Sequence, residues 1–342
     1  MIWLTWRQFR TQAAVAGAAL AVLAITLAIT GPSLADEYAA GIAMCSGTGD
    51  CTDFASDFFG ANQKAFLALV AVVLVLPALI GLFWGAPLIA RELEAGTHRL
   101  VWNQSVTRSR WLMVKLALIG LAAMAVAGLG SLAVTWWSSP LDGVADSDFV
   151  RLSPVMFDAR GIVPMGHAAF AFVLGVTIGM VVRRTVPAMA ITVALFVAVQ
   201  VAMPMLVRPH LLPASTSTVV ISNSNLRGFM AEGDDAPIQV HVAAPQPRAW
   251  VLTNQTVDAS GRAVDTVPLT FSSGPCVPAA GPPGEPPEAC LAEIKRLGYR
   301  QQVSYHADGR FWAFQWVETG VYAGLSIGLA GFCFWWIRRR VS

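Results

Sequence analysis

Residues 91–115, RELEAGTHRLVWNQSVTRSRWLMVK, form a polar break between two very apolar segments. They carry five basic side chains (Arg91, Arg99, Arg108, Arg110, Lys115) and two acids (Glu92, Glu94). This is the chemistry of docking. Arg91, Glu92 and Glu94 offer both signs of charge to a partner surface, where charge pairs fix register. Gly96 lets the backbone turn, and the Thr97 hydroxyl is placed to cap a following helix. The plainer alternative is a solvated loop whose charges only set membrane orientation.

Other chemistry-bearing residues are sparse. Cys45 and Cys51 flank Gly47 and Gly49, and Cys276 and Cys290 lie in a polar region. In an oxidising compartment each pair reads as a disulfide, Cys45–Cys51 and Cys276–Cys290. No accompanying His supports a metal pair. His98, His210, His241 and His306 show no ligand spacing. His167 is the one histidine inside an apolar segment, where an ionisable group is a functional suspect by default. A neutral, hydrogen-bonded packing role is the plainer reading. No phosphate-binding GxxxxGK[ST] loop, HExxH or CxxC is present. No catalytic constellation and no metal or cofactor site is expected, and any ATP chemistry must come from another chain.

The elements that position these residues are membrane helices. Of 342 residues, 55% are hydrophobic and only 13% charged, against about 25% charged in a soluble domain. Ala65–Ala90 and Leu116–Leu141 each run 26 residues without a charge. A hydrocarbon core about 30 Å thick needs only ~20 helical residues. The third span itself begins near Leu112 and ends at Trp136-Trp137, a pair suited to the outer interface, and Ala13–Ala35, Gly161–Val182, Val186–Val207 and Thr319–Ile337 complete six spans. Residues 1–12, with Trp3, Trp6, Phe9, Arg7 and Arg10, read as an amphipathic interfacial helix contacting lipid or as a basic segment that only fixes orientation. A secretory signal ending near Ala35 is the rival, but the apolar run is longer than such signals use. Pro77 and Pro87 mark kinks, and Gly166, Gly175 and Gly179 allow close helix approach. Met189, Met203 and Met205 could line an apolar path or simply pack.

Residues 207–313 change character, being rich in Pro, Gly, Ser and Thr. The β-prone runs 218–221, 238–242 and 264–271, with one helix at 288–297 closed by Gly298, describe a small mixed α/β domain. Residues 314–342 supply the last span and a basic tail.

Charge bias orients the whole. With both termini cytoplasmic, the inner segments hold 12 Lys/Arg and two acids, and the two short outer segments hold three Lys/Arg and nine acids. Basic residues stay inside. The expected fold is therefore an all-α polytopic membrane protein with six transmembrane helices and an extracytoplasmic domain between helices 5 and 6. Nothing points to nucleic acid, because the arginines cluster at membrane boundaries.

Glu94-Ala95-Gly96-Thr97, then Leu100–Trp102, Thr107-Arg108 and Lys115, resembles the first cytoplasmic loop of type-2 ABC exporter permeases. The resemblance extends to the plan of six spans and an external insert. The stretch Arg310–Gly320 and the end Trp335–Arg340 look like actinobacterial members. Gln104-Ser105-Val106 departs from the proline many members place before the Ser/Thr-Arg pair, and the external insert is larger than usual. The resemblance implies that Arg91, Glu92, Glu94, Gly96, Thr97, Arg99 and Arg108 face a cytoplasmic ATPase subunit, two copies per complex, which binds ATP and Mg. It also implies a second permease subunit and a hydrophobic or amphipathic exported substrate (drug, antibiotic, peptide or lipid). The alternative is a non-transporting ABC membrane protein that transmits motion to, or senses a ligand through, its external domain.

Overall fold

A computed structural model of the chain describes residues 2–47, 51–96, 107–144, 149–233, 235–277 and 287–339. It divides into two compact units, residues 1–211 with 312–342, and residues 212–311.

The first unit is helical. Its elements are α1 (Ile2–Ser46), α2 (Thr52–Ile80), α3 (Ala86–Glu94), α4 (Arg108–Trp137), α5 (Ser139–Val144), α6 (Pro154–Asp158), α7 (Val163–Val182), α8 (Thr185–Ala202), α9 (Arg208–Leu211) and α11 (Phe311–Arg339). Among the described residues, six segments are long and apolar enough to cross a membrane: 5–46, 52–94, 108–137, 163–182, 185–211 and 308–339. The number of spans matches the sequence expectation, but their lengths differ. Residues 2–12 are continuous with the helix that follows, and α1 runs unbroken for 45 residues, about 68 Å at ~1.5 Å per residue. Within the acid-rich segment 36–63, which the lack of Lys and Arg places outside, residues 36–46 and 52–63 are helical. There α1 and α2 extend side by side and pack an aromatic seam, with Tyr38 5.8 Å and Phe54 5.5 Å from the Phe58 ring. Asp36, Glu37, Asp53 and Asp57 are exposed, so charge counting marked an outer segment where apolar periodicity continued. Cys45 and Cys51 close this hairpin as a disulfide, Cα atoms 5.1 Å apart.

At the centre is α7, three-quarters of whose apolar core is buried (78%), against 6% for the first span. Small residues make this burial possible. A Cβ on Gly175 would lie 2.6 Å from the Gly81 carbonyl oxygen, one on Gly179 2.4 Å from that of Ala86, and one on Gly85 2.5 Å from that of Phe172. The second span therefore meets α7 backbone to backbone. Where they cross, the second span loosens into a π turn at Gly81–Gly85, one turn before Pro87 removes a backbone donor. A second π turn, Met203–Val207, carries Pro204 and leads into α9. The α7–α8 connection is a two-residue turn, with Arg183 in the left-handed region at φ 59°, where its N–H bonds the Gly179 carbonyl. Spans four and five are thus an antiparallel hairpin.

The second unit is built on a four-stranded antiparallel sheet in the order β1-β6-β4-β5, with a separate β2-β3 pair. The strands are β1 (Ser215–Val220), β2 (Leu226–Met230), β3 (Gln239–Val242), β4 (Trp250–Val257), β5 (Ala263–Val264) and β6 (Arg300–His306). Helix α10 (Glu288–Arg296) ends at Gly298, whose φ of 82° makes the turn into β6. The sequence reading found β1, β3 and this helix. It missed β2, β4 and β6, the last two carrying contiguous polar runs (Thr253–Thr256 and Arg300–Gln302), and took 264–271 as a strand where only a two-residue strand and a bridge at Val267 form. Cys276–Cys290 bridges the core beside Ile238, Leu291 and Ile294. Inside it, buried Gln301 donates to the Val240 carbonyl and to Asn254 and accepts from Thr256.

Candidate functional site: loop anchors and a buried ionic cluster

The loop emerges from α3, and its acids are committed within the chain. Glu92 pairs with Lys115, a buried lysine whose Nζ lies 4.6 Å from the Trp111 ring centre. Its long stem suits that apolar wall, with the charged head at the polar end. Glu94 accepts from the backbone N–H (3.0 Å) and hydroxyl (2.8 Å) of Thr185, the first residue of α8. A carboxylate there satisfies an orphan donor and complements the helix dipole. The end of α3 is thus tied to the starts of α4 and α8.

Arg91 is exposed and Arg108 half-buried. Gly96 holds φ 69°, the turn its lack of a side chain permits. Thr97 and Arg99 lie outside the described residues. The described cap of α4 is Thr107, whose hydroxyl accepts from the Arg110 N–H at 3.4 Å. Arg91, Glu92 and Lys115 also line a cleft of about 480 Å³ with Gln8, Gln12 and Trp84.

At the opposite end of α7 lies a cluster that no local pattern announced. Arg208, fully buried, donates Nε to Glu318 Oε2 (2.7 Å) and Nη2 to Glu318 Oε1 (2.8 Å). It also donates to Asp158 and to the Pro154 carbonyl (3.1 Å), and its guanidinium lies 4.3 Å from the Phe157 ring centre. His167 sits beside it, Nε2 3.9 Å from Glu318 Oε1 and Nδ1 3.1 Å from Gln200 Nε2. Tyr322 donates its hydroxyl to Gln200 Oε1 (2.7 Å) and packs edge-on to the imidazole. Burial pushes the Asp158 carboxyl up, with the Arg208 guanidinium opposing.

One ligand atom each from Asp158, His167 and Glu318 falls within 4.8 Å of the others. The guanidinium already takes both Glu318 oxygens and one Asp158 oxygen, so this is a filled ionic network rather than an open metal cage. Nearby, Gln315 accepts from the Ile162 and Val163 N–H groups (2.9 Å each) and caps α7. Buried Arg160 pairs end-on with Asp142 through Nη1 and Nη2 (2.9 Å each).

The sequence reading singled out His167 alone among these residues. It placed Arg208 with the outer domain and began the last span after Glu318. Arg208 belongs to the helical unit, and α11 starts seven residues before Glu318. The available signal was a charge abutting a long apolar run, where an unpaired ion is costly and a partner must exist.

Six helices long and apolar enough to cross a membrane among the described residues, and no nucleotide-binding motif in the sequence, define a multi-pass membrane component. The model of the ABC-2 membrane transporter related family matches residues 17–208, more than half of the chain. The chain belongs to that family, a permease type rather than an ATPase, and is the membrane component of an ABC-type transporter. The family implies partnership with an ABC ATPase in general. No curated protein and no solved structure matches the chain.

Proposed function

We propose that the chain is the permease subunit of an ABC exporter, two copies pairing with two cytoplasmic ATPase subunits to move a hydrophobic or amphipathic substrate by alternating access. The residue 91–115 loop would receive the ATPase, with both termini on the same side and residues 212–311 on the other. The observation that carries this reading is how α3 is anchored. A helix whose last turn is bonded to α4 through Glu92–Lys115 and to α8 through Glu94–Thr185 passes a displacement to three spans at once. Arg91, Gly96 and Arg108, with Thr97 and Arg99, would then form the docking face, while Glu92 and Glu94 transmit. Switching requires only that ATP-bound partners prefer one conformation.

The test is co-purification with ATPases from the same cell, comparing the native chain with Arg91→Glu and Gly96→Pro. Stoichiometric capture by the native chain and its loss in the variants, with six spans retained, supports the coupling role. Absence of any ATPase, or capture indifferent to both changes, overturns it.

The separate core of residues 212–311 favours one second reading, in which that unit binds an external ligand and the complex transports nothing. ATPase stimulation by a soluble external peptide without vectorial transport distinguishes it.

A further inference from the structure

With both carboxylates ionised, the cluster around Arg208 is one positive charge short. Asp158 and Glu318 supply two carboxylates, Arg208 one guanidinium, and all three side chains are at most 8% exposed. A net negative charge held away from water is strongly disfavoured unless a counter-ion joins it. The group placed to carry one is His167, 1% exposed, whose Nε2 has no hydrogen-bond partner among the described residues and lies 3.9 Å from Glu318 Oε1. The groups facing the imidazole are Asp158 from α6, Gln200 from α8, Arg208 from α9, and Glu318 and Tyr322 from α11. None supplies a second cation.

We propose that His167 is a proton-binding site, and that loading it re-orders the hydrogen bonds joining spans four, five and six. The direction of each bond fixes the step. Tyr322 donates to Gln200 Oε1, so Gln200 Nε2 is the donor that meets Nδ1. The unloaded ring therefore accepts at Nδ1 and carries its hydrogen on Nε2, toward Glu318. A proton from water must add at Nδ1. The N–H bond forms as an O–H bond of the delivering hydronium breaks and releases water, and the resulting imidazolium neutralises the cluster. Nδ1–H then confronts the Gln200 amide donor, and Gln200 must turn over to present Oε1. Its amide group then faces the Tyr322 oxygen, and the Tyr322 hydroxyl hydrogen must leave Gln200. One proton thus changes contacts between α7, α8 and α11, with Gln200 as the pivot. A divalent ion would meet the same charge deficit, but Arg208 occupies three of the four carboxylate oxygens.

The proposal does not depend on an ATPase partner, and its test uses the permease alone. The full chain, with ¹⁵N-labelled histidine rings and ¹³C-labelled tyrosine, is placed in lipid nanodiscs and followed by NMR from about pH 8 to 5. The His167 signals are assigned among five histidines by their loss in His167→Gln, which retains a donor and an acceptor. Conversion of that ring from the Nε2–H form to imidazolium, with the Tyr322 signal shifting in step, is the expected result. In Gln200→Leu the ring should still load while Tyr322 no longer follows. A ring that keeps one charge state across the range overturns the proposal, as does a Tyr322 signal that ignores it. A protonated-carboxyl infrared band lost in Asp158→Asn would put the proton on Asp158 instead. Micromolar zinc shifting the ring at fixed pH would make it a metal site, and either result refutes the assignment.

Discussion

Arg208 and Glu318 stand 110 residues apart in the chain and meet side-on, guanidinium to carboxylate, with neither side chain exposed to solvent. The pair joins the end of the fifth span to the sixth, and Asp158 completes it from α6. Breaking a buried pair by removing one partner costs about 3–5 kcal/mol. Arg208→Met strands two carboxylates, whereas Glu318→Gln leaves Arg208 paired with Asp158. Thermal unfolding in nanodiscs should therefore rank Arg208→Met as the more damaging change. An equal or reversed order would mean the cluster does not share its charge as described.

The crossing of the second span with α7 tolerates no extra carbon. Gly175→Ala places a methyl group 2.6 Å from the Gly81 carbonyl oxygen, and backbone cannot step aside as a side chain would. Overpacking of this kind costs about 1–3 kcal/mol. Gly320→Ala, in a helix where nothing lies within 4 Å, is the control and should leave stability unchanged or slightly raised. Matching melting temperatures for the two variants would refute the close crossing.

The Cys276–Cys290 bridge closes a loop of sequence separation 14. Chain-entropy reasoning gives about 3 kcal/mol for a loop of roughly 15 residues. Cys276→Ser/Cys290→Ser should raise protease cleavage within residues 212–311 of the full chain, read by mass mapping, while cleavage of the helical unit stays as before. Unchanged cleavage throughout would show that this core does not need the bridge.

Glu94 and Arg91 are neighbours on α3 with different expected roles. Arg91→Glu should weaken capture of the ATPase. Glu94→Ala should leave capture intact but lower substrate-stimulated ATP hydrolysis, because it cuts the tie to Thr185. Loss of capture in Glu94→Ala would place that carboxylate on the docking face itself.

One acid-side effect is confined to the second unit. Asp258 accepts from the Ser260 hydroxyl and from the Ser260 and Arg262 N–H groups, which lowers its carboxyl from 3.8 to about 2. A depressed carboxyl stabilises the fold above its unfolded value, and the contribution disappears as pH falls through the folded one. Between about pH 4 and 2 the 258–262 turn should loosen, seen as faster amide exchange at Arg262. Asp258→Asn should remove most of that pH dependence.

Hydropathy is a local property, and what it governs was legible from the chain alone. Uninterrupted apolar runs such as Leu116–Leu141 had to become spans, and glycines at helical spacing in α7 foretold a close approach. Cysteine spacing also named both pairs. The loop's Glu-x-Gly-Thr pattern pointed to the family that the 17–208 match establishes. Partner choice among charges is not local. Arg208, Asp158 and Glu318 each sit next to an apolar run, and each looks alone like a residue bound for water. Only the packing of α6, α8, α9 and α11 around α7 brings them within hydrogen-bond reach and leaves His167 facing them. The same holds for Glu94, read from sequence as a surface charge and found capping α8. Secondary structure follows from neighbours along the chain, whereas a buried charge is tolerable only where tertiary structure supplies its counter-charge.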